Sequence, residues 1–494
     1  MFKKLLLVAS CAVLLVSLPS CGKQQDLDSQ LLHEVQHDCA IKKVRELLAA
    51  GANPNASESS GQSALMFAAL GGHTEFMGAF RACCGICPAV NTTEVMRALI
   101  AAGADIHAKS AGGKTVLMLA AANNCIDMVR DLIKAGLDVN VQDIDGQTAL
   151  AFAVSGGYVE TVRVLIQAGA DIHAKTVDGR TMLMRAVSGG CIDMVQDFIK
   201  AGLDVNAQDE DGRTALALAA AYGRLDMIRV LMQAGADVQW KSADGQTLLM
   251  RAAHSVESVR EFIKAGLAVN TITKNGDTAL KIAAGCGKIE AVQELIKAGA
   301  NVNAHCQGCN SALLEAAEAC RVDVVRYLIE AGADVNAKDQ FDKTALIAAA
   351  RGGAADSGRA LEVVRSLIKA GADVNAHTNY GRTALIAAAD QARLEALHEL
   401  IEAGADVNMR DKFGHTALTI LLAHDYAYSL SDYWRKFDIV RDFIKAGVDV
   451  NVRDKKGRTA LMFANDRCPK DSADSTYRAQ KAVVQELIKA GAHI

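Results

Sequence analysis

The 494-residue chain is 51% hydrophobic, 22% charged and 4% aromatic, with 40 Gly, 4 Pro and 13 Cys, which is too much apolar material for a disordered polypeptide. Lys and Arg number 53 against 57 Asp and Glu, a net charge of -4, and no basic run exists beyond the N-terminus, which argues against binding driven by nucleic-acid phosphates. Length alone predicts about three globular domains, but so few aromatics beside so much Ala point to a repetitive, helix-rich architecture.

In chain order, residues 1–20 read as an address. A short basic start, MFKK, precedes the apolar run Leu5–Leu18, which is too short to cross a hydrocarbon core of about 30 Å. The run closes with Leu18-Pro19-Ser20-Cys21, which resembles the lipobox of bacterial lipoproteins, where the signal is cut before the cysteine and that cysteine carries the lipid; Pro19 departs from the small residue usual there. The resemblance implies a lipidated Cys21 at the mature N-terminus. It also implies a cell-envelope location, with the outer membrane favoured because position 22 is not Asp and the leaflet left open. Residues 21–28 are expected to be the lipidated Cys and a polar tether, spanning at most about 25 Å when extended.

From residue 29 to 494 one pattern recurs. Its glycine stands at Gly51, Gly103, Gly136, Gly169, Gly202, Gly235, Gly266, Gly299, Gly332, Gly371, Gly404, Gly447 and Gly491, and seven of the twelve spacings are 33 residues. That period marks a stacked-repeat protein. Val159, Val162, Leu165 and Ile166 fall on one helical face before Gly169, where a left-handed cap ends a helix. A shorter Ala-rich segment, Thr148–Ala153, predicts the first helix of the unit. Asp145-Gly146, Asp178-Gly179, Asp211-Gly212, Asp244-Gly245 and Asn275-Gly276 predict tight hairpin turns between units.

These residues resemble the ankyrin family: D-x-D-G-x-T-A-L, as in Asp209–Leu216, then V-x-x-L-I-x-A-G-A-D-V-N-A, as in Val325–Ala337. The resemblance implies an all-α ankyrin-repeat solenoid of about 13 helix-turn-helix units joined by β-hairpins, and a protein-binding role. The family's T-P-L-H is missing throughout, Pro being replaced by Ala, Val, Met or Leu. Spacings longer than 33 place inter-helix insertions near 74–93, 352–359, 424–436 and 466–479.

Sites of chemistry are not expected. Gly113-Lys114-Thr115 lacks the first glycine of a phosphate loop, since Ala108 stands there. Asp138-Val139-Asn140 and Asp204-Val205-Asn206 open like calcium loops but have Ala149 and Ala215 at the twelfth position. The chain is therefore read as no enzyme, with no catalytic residues, cofactor or metal. His107, His173, His305 and His377 are expected to be solvated or capping. Cys306 and Cys309 sit at the ends of a turn, within disulfide reach. The remaining cysteines leave their pairing open.

Partner contact is expected along the hairpin tips, which change from Asp145, Asp178, Asp211 and Asp244 to Phe341, Tyr380 and Phe413. Asp-Gly has a backbone reason to occupy a turn. Phe and Tyr have none, and they are residue types enriched at binding hot spots; packing between neighbouring hairpins is the other reading. Trp240, which replaces a hairpin Ala, and the insertion aromatics Tyr426, Tyr428, Tyr433, Trp434 and Phe437 are further candidates, the insertion being read as a loop that docks on the repeats or on a partner. The resulting expectation is a monomeric, membrane-anchored scaffold of the bacterial envelope that binds a protein, and not nucleic acid, through hairpin tips and the concave helical face. Two alternatives remain: an inhibitor or immunity protein masking an envelope-acting toxin or enzyme, and a redox or metal role for the cysteines.

Overall fold

The computed structural model describes residues 21–37, 40–70, 89–304, 309–352, 357–423, 430–466 and 475–493. Among them, helices follow one another as thirteen pairs, from Cys21–His37 with Ile41–Ala49 to Ala460–Asp466 with Ser475–Lys489. No strand forms among the described residues; hairpin segments meet only in isolated bridges such as Lys109 with Thr115 and His377 with Thr383. The all-α repeat architecture is thus the observed one. By contacts the chain divides into two compact units, residues 1–219 with 226–237, and residues 220–225 with 238–494.

Within each unit the same local logic repeats. The first helix, for example Ala149–Ser155, is buried on nearly every side: Leu150, Ala151, Ala153 and Val154 have no exposed surface. Its small Ala side chains let neighbouring first helices approach closely. Thr148 starts it by accepting the N–H of Ala151 at 3.2 Å, and Ser63, Thr181, Thr247, Ser311 and Thr383 cap their helices in the same way. Each such cap is worth about 1 kcal/mol. The missing Pro of the family pattern therefore leaves the helix start intact, because the hydroxyl and not the ring satisfies the first turn.

Second helices are amphipathic. In Val159–Gln167 the buried stripe is Thr161, Val162 and Leu165, while Ile166, expected on that face, is 39% exposed. The same positions are buried in other second helices, as Met128, Val129 and Leu132 or Ala291, Val292 and Leu295, so stacking sets the stripe and leaves Ile166 on the flank, while the Thr161 hydroxyl donates to Asn124 Oδ1 at 2.8 Å. Their outer faces carry ion pairs between successive repeats, among them Arg97–Asp131 at 2.8 Å and Arg365–Glu399 at 2.6 Å. Exposed pairs of this kind contribute little each.

A side-chain clasp joins neighbouring repeats. Asn140 donates to the Gly169 carbonyl at 3.1 Å and accepts the Asp171 N–H at 2.8 Å; Asn303, Asn408 and Asn451 make the same pair of bonds to the following repeat. At His107 and His173, which occupy this place in two repeats of the first unit, no such clasp forms among the described residues, and the next repeat there carries buried Leu137 or Leu203 after its glycine.

Two expectations are corrected. Residues 21–28 are not an extended tether but the start of the helix Cys21–His37. Gln24 donates to the Gly51 carbonyl at 2.9 Å and Asp28 accepts the Asn53 N–H at 2.8 Å, so this polar stretch is held against the first repeat. The insertions, in turn, lengthen second helices at their N-terminal ends. Where the regular unit has nine residues, as in Ile126–Lys134, the helices after the insertions are Ala89–Ala101, Ser357–Lys369, Leu430–Lys445 and Ser475–Lys489, with 13, 13, 16 and 15 residues. The remainder of each insertion lies outside the described residues.

Candidate functional site

In the second unit, a buried acceptor builds each hairpin tip. Asp339 Oδ1 accepts the N–H groups of Phe341 and Lys343, both at 2.8 Å, and Asp411 Oδ1 accepts those of Phe413 and His415 at 2.8 and 2.9 Å. In the hairpin between them the Thr378 hydroxyl takes the same role toward Tyr380 and Arg382. The turn closes with a residue of positive φ: Asp342, Gly381 and Gly414. At Gly381 a Cβ would lie 2.9 Å from the Arg410 carbonyl oxygen, so glycine is needed there for space as well as for φ.

Backbone bonds then tie tip to tip. Asn379 N–H donates to the Phe341 carbonyl, Lys412 N–H to that of Tyr380, and Lys455 N–H to that of Phe413, at 2.9, 2.9 and 3.1 Å. The main chain of each tip is used internally while its side chain points away. Phe341, Tyr380 and Phe413 are 48%, 53% and 55% exposed, so packing between adjacent hairpins does not bury them. Three large apolar groups thus stand in register on consecutive repeats, an arrangement that offers anchors to a partner. Lys412 Nζ lies 5.1 Å from the Tyr380 ring centre, and the Phe413 and His415 rings are 6.0 Å apart. His415 also reaches Asp411 at 3.2 Å and Asp454 at 3.7 Å.

The acidic tips are different. Asp178 accepts from the Thr176 hydroxyl and pairs with Arg180 at 3.0 Å; burial pushes its carboxyl up, but that hydroxyl and Arg180 outweigh burial and hold it below the usual aspartate range. Asp211 pairs with Arg213 at 2.7 Å. Asp244 accepts from the Ser242 hydroxyl, which lowers its pKa. Asp145 uses its carbonyl to accept the Val177 N–H at 2.9 Å. Asp178, Asp211 and Asp244 therefore spend their carboxylates, at least in part, on their own turns.

Trp240 is corrected: it is 4% exposed and its ring lies 5.5 Å from the Arg251 guanidinium. Its place in the repeat faces inward, as buried Ala56 and Ala376 show at the equivalent position. Trp434 and Phe437 are on the helix Leu430–Lys445 and not in a loop; Trp434 is 43% exposed and meets Phe437 edge-on at 5.9 Å. Tyr426 and Tyr428 lie outside the described residues. Cys309 is disulfide-bonded, and Cys306, the partner expected for it, lies outside them too. Cys125, Cys191, Cys286 and Cys320 are thiols. Among the described residues no three His, Cys, Asp or Glu side chains gather closely enough to hold a metal ion.

Sequence reasoning missed the cations beside the aromatic row, Lys412, Lys455 and Lys456, and the inward-facing acceptors Asp339, Asp411 and Asp454. A column alignment of the hairpins would have shown both.

The family model for ankyrin repeats (3 copies) matches residues 80–176, 183–271, 234–306, 249–339, 313–411 and 349–433. Among solved structures, the chain is similar to the human ASB11 ankyrin repeat domain at 24% identity over 47% of this chain and 98% of that one, with a TM-score of 0.40. No curated protein matches.

Proposed function

The chain belongs to the ankyrin-repeat family, and on that premise we propose that it is a scaffold that binds a protein partner through the hairpin row Phe341, Tyr380 and Phe413. The observation that carries this reading is the exposure of three aromatic side chains, each about half open to solvent, on hairpins whose backbone bonds are already satisfied by their neighbours. Nothing in the turn needs a ring there.

The scaffold is held at a bacterial envelope membrane, in this reading, by acylation of Cys21. The lipobox-like Leu18–Cys21 supports the anchor, and a cysteine opening the helix Cys21–His37 would place the first repeat directly at the bilayer surface. The outer membrane is the proposed location, and the chain acts as a monomer. No described helix is long and apolar enough to cross a membrane, so attachment would rest on the lipid.

The test is in-envelope photo-cross-linking from the neighbouring exposed Asn379 position with identification of the captured protein, repeated with the triple change F341A/Y380A/F413A in a chain carrying the same probe. Capture should fall severalfold at unchanged helical content by circular dichroism. Undiminished capture by the triple variant would exclude this row as the main site.

A further inference from the structure

We propose that the hairpins at 338–343, 377–382, 410–415 and 453–458 form a site for an acidic polypeptide segment that carries a bulky apolar residue at about every third position. The inference rests on the scaffold reading above and names the chemistry of its partner. These four segments hold nine Lys and Arg against four Asp in a chain whose net charge is -4. Three of the four acids, Asp339, Asp411 and Asp454, are buried, with carboxylates turned onto backbone N–H groups of their own turns. Asp342 is the single exposed acid of the four segments.

Lys338 is exposed, and the other eight cations fall into three groups. Lys343 pairs with Glu318 at 3.0 Å, Arg382 with Asp390 at 3.2 Å and Arg458 with Asp454 at 3.1 Å. Lys412, Lys455 and Lys456 are exposed, and among the described residues no carboxylate pairs with them. Arg410 and Arg453 give N–H groups to backbone carbonyls, which orients them without neutralising them. The row Phe341, Tyr380, Phe413 therefore ends in Lys456 and is flanked by Lys412 and Lys455. In the first unit the pairs Asp178–Arg180 and Asp211–Arg213 leave no comparable surplus at those tips.

The spacing adds to the charge. Repeat layers stand about 8–10 Å apart, and a polyproline-II chain returns to the same face every three residues over about 9 Å, so successive tips match every third residue of a ligand extended in that form. The two residues between anchors then face the lysines. Single-stranded nucleic acid fits less well: one face of Tyr380 is taken by Lys412, Phe413 lies beside His415, and rings a full repeat apart cannot hold consecutive stacked bases.

The test uses the full chain in detergent and three fluorescein-labelled probes: a peptide of four Phe-Glu-Asp triplets, one of four Phe-Lys-Arg triplets, and a twelve-residue oligothymidine. Fluorescence anisotropy should show binding of the acidic peptide alone, weakened by salt and about tenfold by K412E/K455E/K456E at unchanged helical content. No binding of the acidic peptide, equal or tighter binding of either other probe, or an affinity untouched by charge reversal would overturn the proposal. Native cross-linking separates the two readings. A charge-reversed chain that still captures the wild-type partner, where F341A/Y380A/F413A does not, ends the acidic-segment proposal and leaves the scaffold standing. Loss of capture by both variants supports both readings, and capture unchanged in both defeats both.

Discussion

Replacing Asp411 with Ala tests whether a buried acceptor holds an aromatic-tipped hairpin in shape. The side chain is 1% exposed, and its Oδ1 receives two backbone N–H groups, from Phe413 at 2.8 Å and from His415 at 2.9 Å. Hydrogen bonds to a charged acceptor contribute about 1.5–3 kcal/mol each. Water at the turn would recover part of that, so Asp411→Ala should destabilise this junction by roughly 2–4 kcal/mol. Asp411→Asn keeps an acceptor oxygen in place and should lose less than half as much. Because repeats couple to their nearest neighbours, the damage should be local. Hydrogen exchange should show faster opening at the Phe413 and His415 amides, with the first unit unchanged, and urea unfolding should show a shifted midpoint for the transition that includes this hairpin. Equal effects of Ala and Asn, or unchanged protection at both amides, would refute the argument.

Other outcomes follow from the same structure. Cys21→Ser should abolish incorporation of labelled fatty acid and release the chain from membranes; unchanged labelling removes the anchor. Asp454 has a lowered pKa: burial pushes it up, but the Arg458 and Lys456 N–H groups and the Arg458 guanidinium outweigh this. A folded-state pKa below the unfolded one gives stability that is present above the unfolded value and lost as pH falls through the folded value. Asp454→Asn should therefore flatten the loss of stability below about pH 4, read as the urea midpoint against pH, and an unaltered acid limb would contradict the assignment.

The repeats were legible because glycine at a left-handed cap is a backbone requirement, and Gly136, Gly169 and Gly202 declare it at regular intervals. The start of the first helix was not: Gly22–Asp28 is polar and contains Gly, so it looks like a linker until Gln24 and Asp28 are seen bonded to the loop at Gly51 and Asn53. Trp240 misled because a large aromatic in a hairpin suggests exposure, whereas which hairpin positions face inward is decided by stacking. The aromatic tips were readable from register alone. Their basic setting was not, since a plain charge count treats Asp339, Asp411 and Asp454 as surface acids and hides the surplus that their burial leaves.

The asparagine clasps bear on how the molecule responds to load. Where Asn140 bridges two repeats, separation must break a donor and an acceptor bond together over a short displacement, which makes for a stiff, brittle seam. Where His107 or His173 stands instead, and Leu137 or Leu203 fills the next loop, the seam is greasy and should stretch further before giving way. If the proposed anchor and binding row both hold, a pull between them would be taken up first at these compliant seams of the first unit, sparing the aromatic-tipped hairpins of the second.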